Sequence, residues 1–153
     1  QPEPLFLILE NLQDPGNLGT MIRTWEGAGI TGVIMNSQTV DIFNPKTIRA
    51  TMGSIFRVPF VYVPELSPVL TQMHEKGIHT YAAHLKGKEY YDSFSFREPT
   101  AFLIGNEGNG LTKEISDQSG QYLKIPMEGK VESLNASIAA AILMYEAHRQ
   151  RKL

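Results

Sequence analysis

Four side chains in this 153-residue sequence stand where polar chemistry is done, close behind apolar runs of strand length: Arg23, Glu107, Ser133 and Asn135. They belong to three short stretches. The first is Asp14-Pro15-Gly16-Asn17 with the helix it opens, the second Ile104-Gly105-Asn106-Glu107-Gly108-Asn109-Gly110-Leu111, the third Glu132-Ser133-Leu134-Asn135-Ala136. The chain has no cysteine, so neither a thiolate nucleophile nor a thiolate metal site is available, and whatever chemistry occurs runs through oxygen and nitrogen groups.

Each stretch has two readings. In the first, Asp14 is a helix cap and Pro15 suits a first-turn position. Arg23 falls opposite the apolar stripe of the helix that follows, where an arginine is either solvated or free to meet a ligand. The second stretch puts three glycines between a buried strand and a helix, either an ordinary turn or a backbone that approaches a ligand closely. It lacks the Gly-Lys-Ser/Thr ending of a Walker loop and the glycine order of a dinucleotide fingerprint. Glu107 in its middle would repel a pyrophosphate, so the loop suits a less anionic ligand, which argues against a nucleotide-cofactor enzyme of ordinary doubly wound fold. In the third, Ser133 is an N-cap candidate, but Ala136 three residues on breaks a capping box. Asn135 then falls in the first helical turn, where its propensity is poor, and a residue that local preference leaves unexplained is a candidate for function. Cap and site both remain open there.

The elements that position these residues alternate. Strand-length apolar runs occur at Leu5 to Leu9, Val33 to Met35, Phe60 to Val63, His79 to Ala83, Ala101 to Ile104 and Tyr122 to Ile125. Helical patterns lie between or after them, at about Asn17 to Ala28, Pro45 to Thr51, Glu65 to Glu75, Leu111 to Asp117 and Asn135 to Arg149. The first carries Leu18, Met21, Ile22, Trp25 and Ala28 on one stripe. This alternation predicts one α/β domain over residues 1–153 with a mainly parallel sheet and a ligand crevice at the carboxyl ends of its strands. Gly87 to Glu98 is the least regular segment and reads as a mobile loop. Ala136, Ser137, Ala139, Ala140 and Ala141 give the last helix a small-sided surface, suited to a subunit interface or a tightly threaded core.

With 42% hydrophobic residues the chain has the means for a real core. The apolar run Ala136 to Tyr145 is far short of the ~20 residues a membrane span needs, and the chain reads as soluble and compatible with a reducing cytoplasm. A net charge of −2 does not favour nucleic-acid binding by charge alone. The chain starts at Gln1 without an initiator Met, which suggests a domain from something longer.

Taken in order, Asp14-Pro-Gly-Asn-Leu-Gly-Thr-Met-Ile-Arg23, Ile104-Gly-Asn-Glu107-Gly-Asn-Gly-Leu and Ile125-Pro-Met-Glu-Gly-Lys-Val-Glu-Ser133-Leu-Asn135-Ala resemble the three motifs of the SpoU/TrmH family, RNA 2′-O-ribose methyltransferases of the SPOUT superfamily. The resemblance spans about Leu5 to Arg149. It implies an α/β fold, with a mainly parallel sheet, helices on both faces and a C-terminal deep trefoil knot, an exception to the rule that chains are unknotted. It also implies S-adenosylmethionine as cofactor, a homodimer, no metal and a structured RNA substrate, rRNA favoured over tRNA.

By matching positions, the cofactor site would draw on Ala83, His84 and Leu85 after the fourth strand, on Gly105 and Glu107, on Ile125 and Met127, and on Ser133 and Leu134. Arg23 would activate the ribose hydroxyl, as a perturbed base or as a cation steering phosphate and nucleophile, and Asn17, Glu107, Ser133 and Asn135 would place the substrate. Thr51 or Ser54 would supply a serine-type position common in the family. Arg23, Lys46, Arg49 and Arg57 would form a local basic surface, and a separate N-terminal RNA-binding domain would be absent from this chain. A non-catalytic RNA-binding or ribosome-assembly module on the same fold would be expected to lose Arg23, Glu107 or Asn135, and all three are present.

Overall fold

Leu5-Phe6-Leu7-Ile8-Leu9 is apolar at every position, as a strand covered on both faces must be. In the computed structural model, which describes residues 3–51, 57–84, 87–128 and 134–152, it forms β1 near the centre of a six-stranded sheet. The other strands are β2 (Gly32–Asn36), β3 (Phe60–Val63), β4 (His79–Ala83), β5 (Thr100–Ile104) and β6 (Gln121–Leu123), in the order β3-β2-β1-β5-β4-β6. Every pairing is parallel, with Leu7 opposite Val33 on one side and Phe102 on the other. The helices are α1 (Pro15–Gly27), α2 (Pro45–Ala50), α3 (Ser67–Glu75), α4 (Lys113–Gln118) and α5 (Ala136–Lys152).

Alternation along the central strands divides the core in two. Leu5, Leu7 and Leu9 of β1 and Phe102 and Ile104 of β5 pack with Leu18, Met21, Ile22 and Trp25 of α1 and Ala140, Leu143 and Met144 of α5. Ile8, Ala101 and Leu103 point the other way, onto Leu70 and Met73 of α3 and Ile115 of α4. Each large apolar side chain buried this way contributes roughly 1.5–3 kcal/mol relative to exposure, a gross gain that chain ordering largely offsets. Gly19 sets the α1–α2 crossing, because a Cβ there would lie 2.3 Å from the Ala50 Cβ and 2.7 Å from the Thr47 carbonyl oxygen.

Three expectations need correction. The sixth strand ends at Leu123 rather than Ile125, since Lys124 leaves the sheet: its amide donates to the Glu89 carbonyl at 3.0 Å and its carbonyl accepts from the Tyr91 amide at 2.9 Å. The Gly87 to Glu98 segment is anchored, not loose. It holds a 3-10 turn at Tyr91–Ser93, and Phe96 is fully buried against Tyr81 and Phe102. Gln150 of α5 secures it further, accepting from the Phe96 amide at 2.6 Å and donating to the Phe94 carbonyl at 2.9 Å. Third, α5 begins at Ala136, so Asn135 precedes the helix instead of occupying its first turn.

Candidate active site

The carboxyl ends of the strands carry the polar turns. Asp14 caps α1, accepting from the amides of Gly16 at 2.8 Å and Asn17 at 3.4 Å, with Pro15 in the first turn. The glycine loop after β5 folds back on itself through paired Asn106–Gly110 backbone hydrogen bonds, and the Asn106 side chain accepts from the amides of Gly108 and Asn109. A Cβ on Gly105 would sit 2.2 Å from the Leu111 amide nitrogen and 2.3 Å from the Gly110 carbonyl carbon, so only glycine fits.

These two turns are clasped together by carboxylates from both sides. Glu107 accepts from the Gln13 amide at 3.0 and 3.2 Å, from the Asp14 amide at 2.7 Å and from Asn17 Nδ2 at 3.3 Å. Burial pushes the Glu107 carboxyl up, but the Gln13 and Asp14 amides, its own amide and Asn17 outweigh burial and hold it below the usual glutamate range. Glu10, buried at the end of β1, accepts from the amide and the hydroxyl of Thr112, both at 2.8 Å, while Asn106 Nδ2 donates to the Asn11 carbonyl at 2.7 Å. Asn11 holds a left-handed φ of 57°, steadied by two hydrogen bonds exchanged with the Asn36 side chain. Sequence reasoning missed Glu10, Asn11 and Asn36; a carboxylate directly after an all-apolar strand was the available signal.

Beside the clasp lies a cavity of about 410 Å3. The ends of β4 and β5, the segment after β6 and the start of α5 enclose it. Among its lining residues are Ala83, His84, Gly105, Glu107, Ile125, Met127 and Leu134, which the sequence reading grouped from four separate stretches; Ala136 and Ala139 of α5 also face it. Leu85, Ser133 and Ser54 lie outside the described residues. His84 stacks on Tyr122 with ring centroids 4.7 Å apart, and the Tyr122 hydroxyl donates to Asp117 at 3.1 Å. The lining is mainly apolar with few charges, and the cavity volume falls within the ~300–1,000 Å3 that hold small ligands.

The remaining candidates fall in different places. Asn17 is buried within the clasp, whereas Arg23 is exposed further along α1 and has no hydrogen-bond or ion-pair partner among the described residues. Asn135 is the N-cap of α5: its side-chain oxygen accepts from the Ser137 amide at 2.9 Å, the Ser137 hydroxyl at 2.5 Å and the Ile138 amide at 3.3 Å. Its presence is therefore explained by local preference after all. Thr51 is buried, its hydroxyl donating to the Ile48 carbonyl at 2.7 Å. Arg57 pairs with Glu26 at 3.0 Å, which leaves Arg23, Lys46 and Arg49 as the basic surface. Among the described residues no group of three or more His, Asp or Glu is arranged to hold a metal ion, and no helix is long and apolar enough to cross a membrane.

Residues 4–145 match the SpoU rRNA Methylase family. The chain belongs to that family. This SpoU chain is 36% identical over 149 residues to YacO of Bacillus subtilis, a putative TrmH family tRNA/rRNA methyltransferase, covering 97% of the chain and 60% of that protein. It is 38% identical over 139 residues to RlmP of the same organism, a 23S rRNA guanosine 2′-O-methyltransferase, covering 91% of the chain and 56% of that protein. It thus spans little more than half the length of these curated relatives. The SpoU methyltransferase AviRb from Streptomyces viridochromogenes, crystallised in complex with the cofactor AdoMet, is similar in structure with a TM-score of 0.92 at 32% identity, over 99% of this chain and 62% of that one.

Proposed function

We propose that this chain is the catalytic domain of an RNA 2′-O-ribose methyltransferase that uses S-adenosylmethionine, acts as a cytoplasmic homodimer, and takes structured RNA as substrate, rRNA favoured over tRNA. The observation that carries the reading is the union of the cavity with the clasp: one loop, Gly105 to Leu111, both walls the cavity and holds the turn from which α1 and Arg23 project. The rRNA preference draws on the similarity to RlmP.

The cavity fits the cofactor's chemistry. Ile125, Met127 and Leu134 offer apolar walls, Gly105 lets backbone approach closely, and the ionised Glu107 carboxylate suits a cationic ligand better than a phosphate. Ser133 and Leu85 complete the proposed set. When bound, S-adenosylmethionine supplies an electrophilic methyl group on a sulfonium. Arg23, unpaired among the described residues, offers its guanidinium to an RNA phosphate beside the reacting ribose and stabilises charge developing on the ribose 2′-oxygen. With the methyl donor bound, the phosphate that Arg23 holds would be placed to take the proton of the ribose hydroxyl. Asn17 and Glu107 fix the start of α1, and Asn135 fixes the start of α5, so both helices meet the substrate in set positions.

Two further features belong to the proposal. The segment after β6 runs along residues 89–91 and α5 is tied beneath residues 94–98, which supports threading of the C-terminal part through the β4–β5 connection as a trefoil knot. Ile138 and Tyr145 lie one above the other on α5, 51% and 46% exposed, which supports a second copy packing on that face. The test pairs calorimetric titration of S-adenosylmethionine with methyl transfer to ribosomal RNA by wild type and Arg23→Ala. Arg23→Ala should keep the cofactor affinity and lose transfer by at least about 100-fold. Absence of cofactor binding to the wild type sinks the assignment, and wild-type turnover by Arg23→Ala removes Arg23 from the chemistry.

A further inference from the structure

Phe43 and Ile48 are large apolar side chains left 54% and 42% exposed around a short helix that also displays Lys46 and Arg49 to solvent. The segment before α2 is fixed. Asp41 accepts from the Phe43 amide at 2.9 Å, Ile42 is buried with its amide donating to the Tyr62 hydroxyl at 2.8 Å, and Asn44 caps α2. The backbone at Phe43 is therefore set by an ordered turn. The segment reaches the carboxyl rim, where the Val40 amide donates to the Leu12 carbonyl at 2.7 Å and Gln13 Nε2 donates to the Gln38 carbonyl. On α1, Gly19 touches α2, and Arg23 follows one helical turn later on nearly the same face. Arg23, Lys46 and Arg49 thus fall on adjoining surfaces of a chain whose net charge is −2; of the acids nearby, Glu26 pairs with Arg57 and Asp41 accepts from the Phe43 amide.

From this arrangement we infer that Phe43 with Lys46 and Arg49 is a binding surface for unpaired RNA, with Phe43 stacking on a base while the two cations meet backbone phosphates on the way to Arg23. The inference rests on the methyltransferase reading and sharpens it: the target ribose is presented in a single-stranded segment. Aromatic rings take bases that are free of a duplex, and paired RNA hides the faces that such a ring needs. A net acidic chain gains RNA affinity from a local basic strip rather than from its overall charge.

The test is fluorescence anisotropy on the full chain, with a labelled oligouridylate of about 12 nucleotides, within the site size of such surfaces, and with an RNA duplex of the same length. Phe43→Leu should weaken oligouridylate binding about tenfold, the size of one lost base stack, and leave duplex binding unchanged, while Phe43→Trp retains affinity. Lys46→Ala and Arg49→Ala should each lower the salt slope by about 0.7. The inference is overturned by unchanged affinity in Phe43→Leu, by equal loss on duplex and single strand, or by no wild-type binding to oligouridylate. A shift in oligomeric state of Phe43→Leu with RNA binding intact assigns the patch to a second copy and also overturns it. Calorimetry with S-adenosylmethionine separates the two levels: cofactor binding that survives failure of the RNA arm leaves the methyltransferase reading standing.

Discussion

Glu107→Gln tests the clasp between the two loops directly. The carboxylate meets three donors, the amides of Gln13 and Asp14 and Asn17 Nδ2, at 2.7–3.3 Å. A glutamine keeps the shape but has a single acceptor oxygen, and its NH2 group would face one of these N–H donors. Hydrogen bonds to charged groups contribute ~1.5–3 kcal/mol each when well buried; Glu107 is partly solvated, and screening cuts this so that about 1–2 kcal/mol is expected for the whole exchange. For a chain of this size that corresponds to a fall in Tm of roughly 3–6 °C.

The pH dependence supplies the sharper check. The folded-state pKa of Glu107 is lowered from an ordinary value of 4.5, so its contribution is fully present above that value and is lost as pH falls through the folded pKa. Calorimetric melting of wild type and variant should differ most near neutral pH and converge as the acid limb is descended. Hydrogen exchange at the Gln13 and Asp14 amides should speed up in the variant at neutral pH. A difference in Tm that stays constant from pH 7 through the acid limb, or unchanged protection of both amides, would refute the clasp.

Asn135→Ala should cost about 1 kcal/mol through loss of the α5 cap, whereas Asn135→Asp should keep most of that stability in denaturant titrations. If Asn135→Asp also keeps methyl transfer, the residue acts only as a cap. Gly105→Ala drives a Cβ into backbone atoms that no rotamer change can move, and should destabilise by at least about 2 kcal/mol; a midpoint equal to wild type in urea unfolding contradicts the tight turn.

Most strands were legible because a buried parallel strand writes itself as an unbroken apolar run, and Leu5 to Leu9 and Phe60 to Val63 end where such runs end. The turns at Asp14 and Gly105 were legible as well, since caps and glycines there answer local backbone demands. Lys124 and Ile125 read as strand because their pattern continues that of β6, yet the β4–β5 connection captures the Lys124 backbone instead. Asn135 was taken for an anomaly because the helix start was placed too early; moving it to Ala136 turns an unfavourable interior residue into a favoured cap. The clasp had no sequence signature. Glu107 and Gln13 are 94 positions apart, and a carboxylate that binds backbone amides leaves no complementary side chain to notice. Phe96 was obscured for a similar reason, its burial depending on Gln150 in α5 and on two aromatic rings from neighbouring strands.

The strand order also bears on synthesis. The central seam of the sheet joins β1 to β5, segments as distant as Asn11 and Asn106, which are 95 positions apart. At ~5–20 residues per second on the ribosome, about 5–20 s separate the emergence of β1 from that of its second partner. During that interval a strand apolar on both faces has only β2 beside it, and the α5 side of its core does not yet exist. Nascent chains stalled between β3 and β5 should therefore engage chaperones strongly, and those extended beyond α5 much less.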